Sequence, residues 1–244
     1  MGAAVRKILR AAIIGNGNIS ELKYIPDSFG VDEQGNLHAN GKLSEAAMFT
    51  AMWSGLFAKG EAPKLERTII EKMGPAPVYV KDPMVGTSNL FIGLCIRLDM
   101  LCRLGAYDKM YEDMLAIYMP QLTEGPGTLW ENAMIDTSSR CHGFAAHAGV
   151  HLVRDVLGLG IPSFDARGEG ERTILIAPHI CGLRWARGTH ETPDGLIALE
   201  WKYDGESFVL SGSLPAGYSH VLALPREVLC LSKDRVKINI ITRG

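Results

Sequence analysis

Cysteine is scarce and unpaired in this sequence. There are five in 244 residues, an odd number with no close spacing, which argues against a disulfide framework. Cys95 and Cys102 stand seven apart on one expected helix face and read as core thiols. Unpaired thiols favour a reducing, cytoplasmic compartment. Neither sign of charge dominates: 25 Lys and Arg against 27 Asp and Glu leave a net charge of -2. Nucleic acid and anionic membranes both select basic patches, so neither is expected as a partner. No apolar run is long enough to span a bilayer. The stretch Ala11 to Ile14 is too short for a signal-peptide core. The remaining composition, 47% hydrophobic and 21% charged, is that of a soluble globular protein with a sizeable core.

The hydrophobic period changes near residue 160. Before it, apolar residues recur at helical spacing. Leu43 to Phe57 places Phe49, Met52, Trp53, Leu56 and Phe57 on one face, with Ser44 as N-cap. Ala62 to Met73 opens on Pro63, which suits a first helical turn. Ser88 to Leu104 carries the strongest stripe and ends at Gly105. Tyr107 to Tyr118 is expected to stop at Pro120, and Gly143 to Leu157 at Gly158. With a helix near Ala4 to Ile14, the expectation is about six helices in antiparallel pairs. After Pro162 the period becomes two. Six strands are expected, within 173–177, 183–187, 196–203, 207–211, 219–224 and 236–242, with Asp204-Gly205 as a hairpin turn. The expected organisation is a helical domain over 1–160 and a small antiparallel β-sandwich over 161–244, joined by the polar stretch Ser163 to Arg172.

Three ordered segments resemble one family. Tyr24 to Phe57 is similar to a part that runs from a Pro-Asp turn to a helix beginning Ser-Glu. Val85 to Leu104 contains Ser-Asn-x-Phe-Ile-Gly followed by Arg97 and Asp99. Gly127 to Leu159 contains Gly-Thr-Leu-Trp-Glu, a polar loop ending in His-Gly-Phe, and Arg-Asp-x-Leu-Gly. These resemble the α-L-rhamnosidases of glycoside hydrolase family 78, and the segment from Thr173 to Gly205 looks like their C-terminal β-domain. The resemblance covers nearly all of the chain from about residue 20. It implies part of an (α/α)6 toroid followed by the β-sandwich, and hydrolysis of terminal α-L-rhamnosides with inversion. Inversion needs an acid on the leaving oxygen and a base on a water, ~6.5–9.5 Å apart.

On this resemblance Glu131 is the candidate base; without it, Glu131 is a solvated loop glutamate. Trp130 would offer an apolar face to a sugar ring, or is a core tryptophan with its N–H satisfied. His142 matches the histidine that contacts the sugar, or is structural; a neutral imidazole both donates to and accepts from hydroxyls. Glu45 lines the pocket, or simply favours the positive end of its helix. Arg97 and Asp99 are expected to orient loops. His147 and His151, spaced i and i+4, can share a helix face, but with no third ligand in view helix packing is preferred and no metal is expected. Gly15-Asn16-Gly17-Asn18 follows no strand, so it is not a phosphate loop, and no cofactor is expected.

The departures are specific. Met48 and Cys141 stand where the resembled motifs carry Gln and Asn, removing two amide partners for a sugar. The acid-bearing segment of the family lies upstream of the first match, and nothing in Met1 to Tyr24 is similar to it. Two readings follow: part of a rhamnosidase, or a carbohydrate-binding or structural module without turnover. Half a toroid leaves apolar flanks, so they are expected to be covered by a second copy, making a homo-oligomer, by a complementing upstream chain, or by rearrangement into a closed bundle.

Overall fold

The computed structural model describes residues 2–75, 82–125, 127–132, 139–160 and 172–243. The chain forms two compact units, Met1–His147 and Ala148–Gly244. Residues 148–160, expected with the helices, therefore group with the strands.

In the first unit the helices follow the apolar periodicity. They are α1 (Ala3–Ile14), α2 (Glu45–Trp53), α3 (Pro63–Lys72), α4 (Cys95–Leu104) and α5 (Tyr107–Thr123). A hairpin of β1 (Phe29–Val31) with β2 (Leu37–Ala39), and a parallel pair of β3 (Leu43–Ser44) with β4 (Val85–Gly86), were not expected. Ser44 is the N-cap of α2, its hydroxyl accepting from the Ala47 N–H at 3.2 Å. The expected helix from Ser88 begins instead as a π turn, Leu90–Leu94, that leads into α4. Gly105 ends α4 at φ 77°, a left-handed conformation that glycine adopts without a steric cost. Leu94, Leu98 and Leu101 are buried, as the stripe requires. Cys102 is buried as well, and Cys95 is half-buried with its thiol raised to about 11 by burial.

Helix α5 does not stop at Pro120. It runs to Thr123 with the proline inside it. Proline removes one donor from the last turn, but the neighbouring carbonyls keep partners. Gln121 Nε2 donates to Ile117 O, Thr123 Oγ1 to Met119 O, and the Glu124 N–H to Pro120 O.

At the centre of this unit is an ion pair with no exposure. Arg97 Nε, on α4, lies 2.6 Å from Asp113 Oδ2, on α5. The same guanidinium donates to Ile69 O and Ile70 O, near the C-terminal end of α3, and stands 5.2 Å from the ring of Phe49 on α2. One side chain thus touches four helices. Asp99 accepts from Trp53 Nε1 at 2.9 Å. Arg97 and Asp99 were expected to orient loops; they fasten helices.

Arg10 secures α1. It donates to Leu56 O and to both carboxylate oxygens of Glu61. This pairing, with the Ala58 N–H, lowers the Glu61 carboxyl to about 2.

The second unit opens with a single turn, α6 (Ala148–His151), and a π segment, Leu152–Val156. A 3-10 turn, Gly143–His147, ends the first unit, so the helix expected over 143–157 is three different helical turns. Six strands follow: β5 (Arg172–Ile176), β6 (Trp185–Thr192), β7 (Gly195–Tyr203), β8 (Phe208–Leu214), β9 (Tyr218–Leu222) and β10 (Val236–Thr242), with a short α7 (Arg226–Leu229) before the last; all overlap the expected ranges, but β6 starts two residues later than expected and runs five further. Asp204 makes the expected turn, its Oδ1 accepting from the Glu206 and Ser207 N–H groups. The expectation of a purely antiparallel arrangement is corrected. The four-stranded sheet has order β10-β8-β7-β6, and β10 is parallel to β8; a separate pair, β5 and β9, is also parallel. Period two reports which residues share a face and not which strands pair. Ile197, Leu199, Trp201, Phe208, Leu210 and Leu214 form the buried face of the larger sheet. Trp201 Nε1 donates to Val156 O at 3.1 Å, which ties the helical turns to that sheet. Among the described residues no helix is long and apolar enough to cross a membrane.

Two outcomes test this account. Asp113→Ala strands the Arg97 charge in the core and is expected to cost about 3–5 kcal/mol; an unchanged urea midpoint would contradict the role given to the pair. Glu61 titrates lower when folded than its ordinary 4.5, so its contribution is complete above that pH and is lost as the pH falls toward about 2. Glu61→Gln should therefore lose less stability than the parent protein between neutral pH and about pH 2 in parallel denaturation series.

Candidate functional site

The segment after α5 doubles back on itself. The Glu131 N–H donates to Ser139 O at 2.8 Å and the His142 N–H to Leu129 O at 2.8 Å, while the Thr128 hydroxyl donates to Arg140 O. Two arms, 128–131 and 139–142, are thereby held side by side; residues 133–138 between them lie outside the described residues. Gln121 anchors the arms to α5: it is buried, and its Oε1 accepts from the Trp130 N–H at 2.9 Å. A Cβ on Gly125 would lie 2.4 Å from Trp130 Cζ2, so glycine is what lets the indole pack there.

The structure brings Trp130, Glu131 and His142 together on these arms, in three different settings. Glu131 is half-exposed, and its Oε2 accepts from the Ser139 N–H at 3.3 Å. Trp130 is only 2% exposed, with the Arg140 guanidinium 5.7 Å from its ring. An indole so covered does not offer a face to a sugar in this structure; the packing is that of a core tryptophan. Its Nε1, however, has no hydrogen-bond partner among the described residues. His142 is half-buried, edge-on to Phe144 with centroids 4.9 Å apart, and its Nδ1 also has no partner among the described residues. Unpaired buried polar atoms are costly, which makes these two the atoms most in want of a partner.

Glu45 has a different task. It is 1% exposed; one carboxylate oxygen accepts from the Gly74 N–H at 3.2 Å and the other from the Ser88 N–H at 2.8 Å. It joins the residues after α3 to those before the π turn. The cavity beside it, lined also by Tyr24, Thr68 and Asp82, is about 10 Å³. That is room for one water at most, so Glu45 does not line a sugar-sized pocket here. A larger recess of about 450 Å³ lies by Lys23, Tyr24, Arg67, Lys72 and Asp82. The Tyr24 hydroxyl donates to Asp82 and lowers its carboxyl.

Of the two histidines considered for metal, His151 is fully buried with Nδ1 2.7 Å from Asp155 Oδ2, a carboxylate that Arg154 also engages. The departures from the resembled motifs differ in kind: Met48 is fully buried, whereas Cys141 is exposed beside His142. Gln121 and Gly125, which hold the arms, were not singled out from the sequence. Gly125 stands just before Pro126-Gly127, a turn signal, but nothing in the sequence marks Gln121 as an anchor.

Comparison with known proteins agrees with the topology. Residues 160–238 match the family described as the bacterial alpha-L-rhamnosidase C-terminal domain. Among solved structures, a GH78-family rhamnosidase of Bacillus sp. GL1 matches with a TM-score of 0.73 at 20% identity, over 98% of this chain. This chain spans 23% of the length of that one. No curated protein matches by sequence. The fold is thus shared with part of a GH78 rhamnosidase, and the second unit carries the sequence likeness to its C-terminal domain.

Gly125→Ala is expected to push the indole of Trp130 from its place at a cost of about 1–3 kcal/mol. Near-ultraviolet circular dichroism and the urea midpoint report it; no change in either would show that the arms do not depend on this packing.

Proposed function

We infer that this chain supplies the base-bearing part of a glycosidase that hydrolyses terminal α-L-rhamnosides with inversion, as part of an (α/α)6 toroid. The observation that carries this reading is the pair of arms over 128–142, which keeps the Glu131 carboxylate half-exposed on a fold shared with a GH78 rhamnosidase. With Oε2 on the Ser139 N–H, the other oxygen of Glu131 is left to accept a proton from water. His142 meets a sugar hydroxyl in this reading, which the lack of a partner for its Nδ1 among the described residues supports. Trp130 acts by holding the arms.

The acid that protonates the leaving oxygen comes from residues outside this chain. A second copy would bring another base and no acid. A complementing polypeptide that bears the acid, or an upstream part of the same protein, is the partner that the chemistry requires.

A second reading rests on Met48 and Cys141, neither of which replaces an amide toward a sugar: a carbohydrate-binding module without turnover. One experiment separates the two. A dinitrophenyl α-L-rhamnoside has a leaving group that departs without protonation, so a base alone suffices. The expected result is slow turnover to the inverted sugar, lowered by about 10²–10⁴-fold in Glu131→Gln. Rhamnose binding without turnover supports the module. Neither binding nor turnover would overturn both.

A further inference from the structure

The outward face of the four-stranded sheet in the second unit holds a shallow groove of about 520 Å³ that the rhamnosidase reading does not use. This volume falls within the ~300–1,000 Å³ of small-ligand sites. Its floor follows from strand register. Arg187, Glu200, Ser211 and Asn239 are successive cross-strand partners; Thr189, Ala198, Ser213 and Ile241 are the next row on the same face. On the two central strands this face carries the short side chains Ala198, Ser211 and Ser213 around Glu200, so most of the floor is low where an ordinary solvent face carries long side chains. The rims are large: Arg187 beside the exposed Trp185 on β6, and Ile241 and Arg243 on the β10 side. With strands ~4.8 Å apart, three steps put the rims ~14 Å from each other.

Three observations indicate what fits. Arg187 and Arg243 are exposed and neither has a carboxylate partner among the described residues; guanidinium is the group that binds carboxylates in two-point fashion. Ser213, a lining residue, is 4% exposed, and its hydroxyl lies just beneath the floor with no hydrogen-bond partner among the described residues. A buried unpaired hydroxyl wants a ligand atom able to donate or accept. Glu200, half-buried and shared with Lys202 at 3.0 Å, puts a hydrogen-bond acceptor between the arginines. A bare phosphate or sulfate would be repelled by that carboxylate. A ligand that carries both carboxylate and hydroxyl groups meets all of these at once.

We propose that this groove is a binding site for an acidic oligosaccharide, a short uronate-bearing chain laid across β6, β7, β8 and β10. Carboxylates meet Arg187 and Arg243 at the rims, sugar hydroxyls meet Glu200 and Ser213 on the floor, and the indole of Trp185 flanks one end. None of these residues belongs to the arms that carry Glu131, so the proposal does not depend on the glycosidase reading.

The test is calorimetric titration of the whole chain with trigalacturonate, and with maltotriose as the uncharged comparison. Trigalacturonate is expected to bind, more weakly with rising salt. Maltotriose should bind at least about tenfold more weakly, and Arg187→Ala/Arg243→Ala should lower trigalacturonate affinity by a similar factor. Ser213→Ala should weaken binding several-fold while leaving the salt dependence intact, and Glu131→Gln should leave it unaltered. Both arginines are exposed, so the double variant is expected to fold; circular dichroism checks this, and salt dependence in the unaltered protein gives the charge contribution regardless. No heat with trigalacturonate, equal affinity for maltotriose, or full affinity in the double variant would overturn the proposal.

Discussion

A buried charge with nowhere to go organises the first unit. The guanidinium of Arg97 cannot lose its proton, and it has no exposure, so every donor it holds must be met from within. Asp113 meets one side of it and the carbonyls at the end of α3 another. These demands fix α3, α4 and α5 against one another more narrowly than apolar contact would, because hydrocarbon tolerates repacking and an ion pair of this kind does not. The candidate loop depends on that arrangement through α5, whose Gln121 reaches from the same helix to hold Trp130. Position of the carboxylate on the surface is thus inherited from a charge in the interior.

Much of this was legible in the sequence. The helical stripe from Cys95 to Leu104, the Ser44 cap, Pro63 at a helix start and five of the six strands each have a local cause, and each lies close to where that cause places it; β6 alone runs well past its expected end. What was not legible is what depends on distant residues. Period two could not reveal that β10 runs parallel to β8, since alternation is the same in either direction. Pro120 reads as a stop, yet side chains one and three residues on supply bonds that carry the helix past it. At the candidate site, the motif marks a loop but not the orientation of side chains within it. Trp130 and Glu131 are adjacent, and only packing decides that one is buried and the other half-exposed. The groove on the β-sheet was missed for a simpler reason: Ala198, Ser211 and Ser213 look like any polar or small outward positions until register sets them side by side.

The two proposed sites differ in form. The first offers a single carboxylate on paired arms, which suits one event at one bond. The second offers a broad face with a positive group at either rim and a low floor, which suits length rather than a point of attack.

The parallel pairings carry a kinetic consequence. Joining β5 to β9 brings Arg172 opposite Tyr218, and β8 must wait for β10 across the segment that contains α7. Such closures cost chain entropy before any contact rewards them. The first unit meets the same cost where β3 joins β4 and where Arg10 reaches Glu61, so neither unit can complete its fold from near neighbours alone.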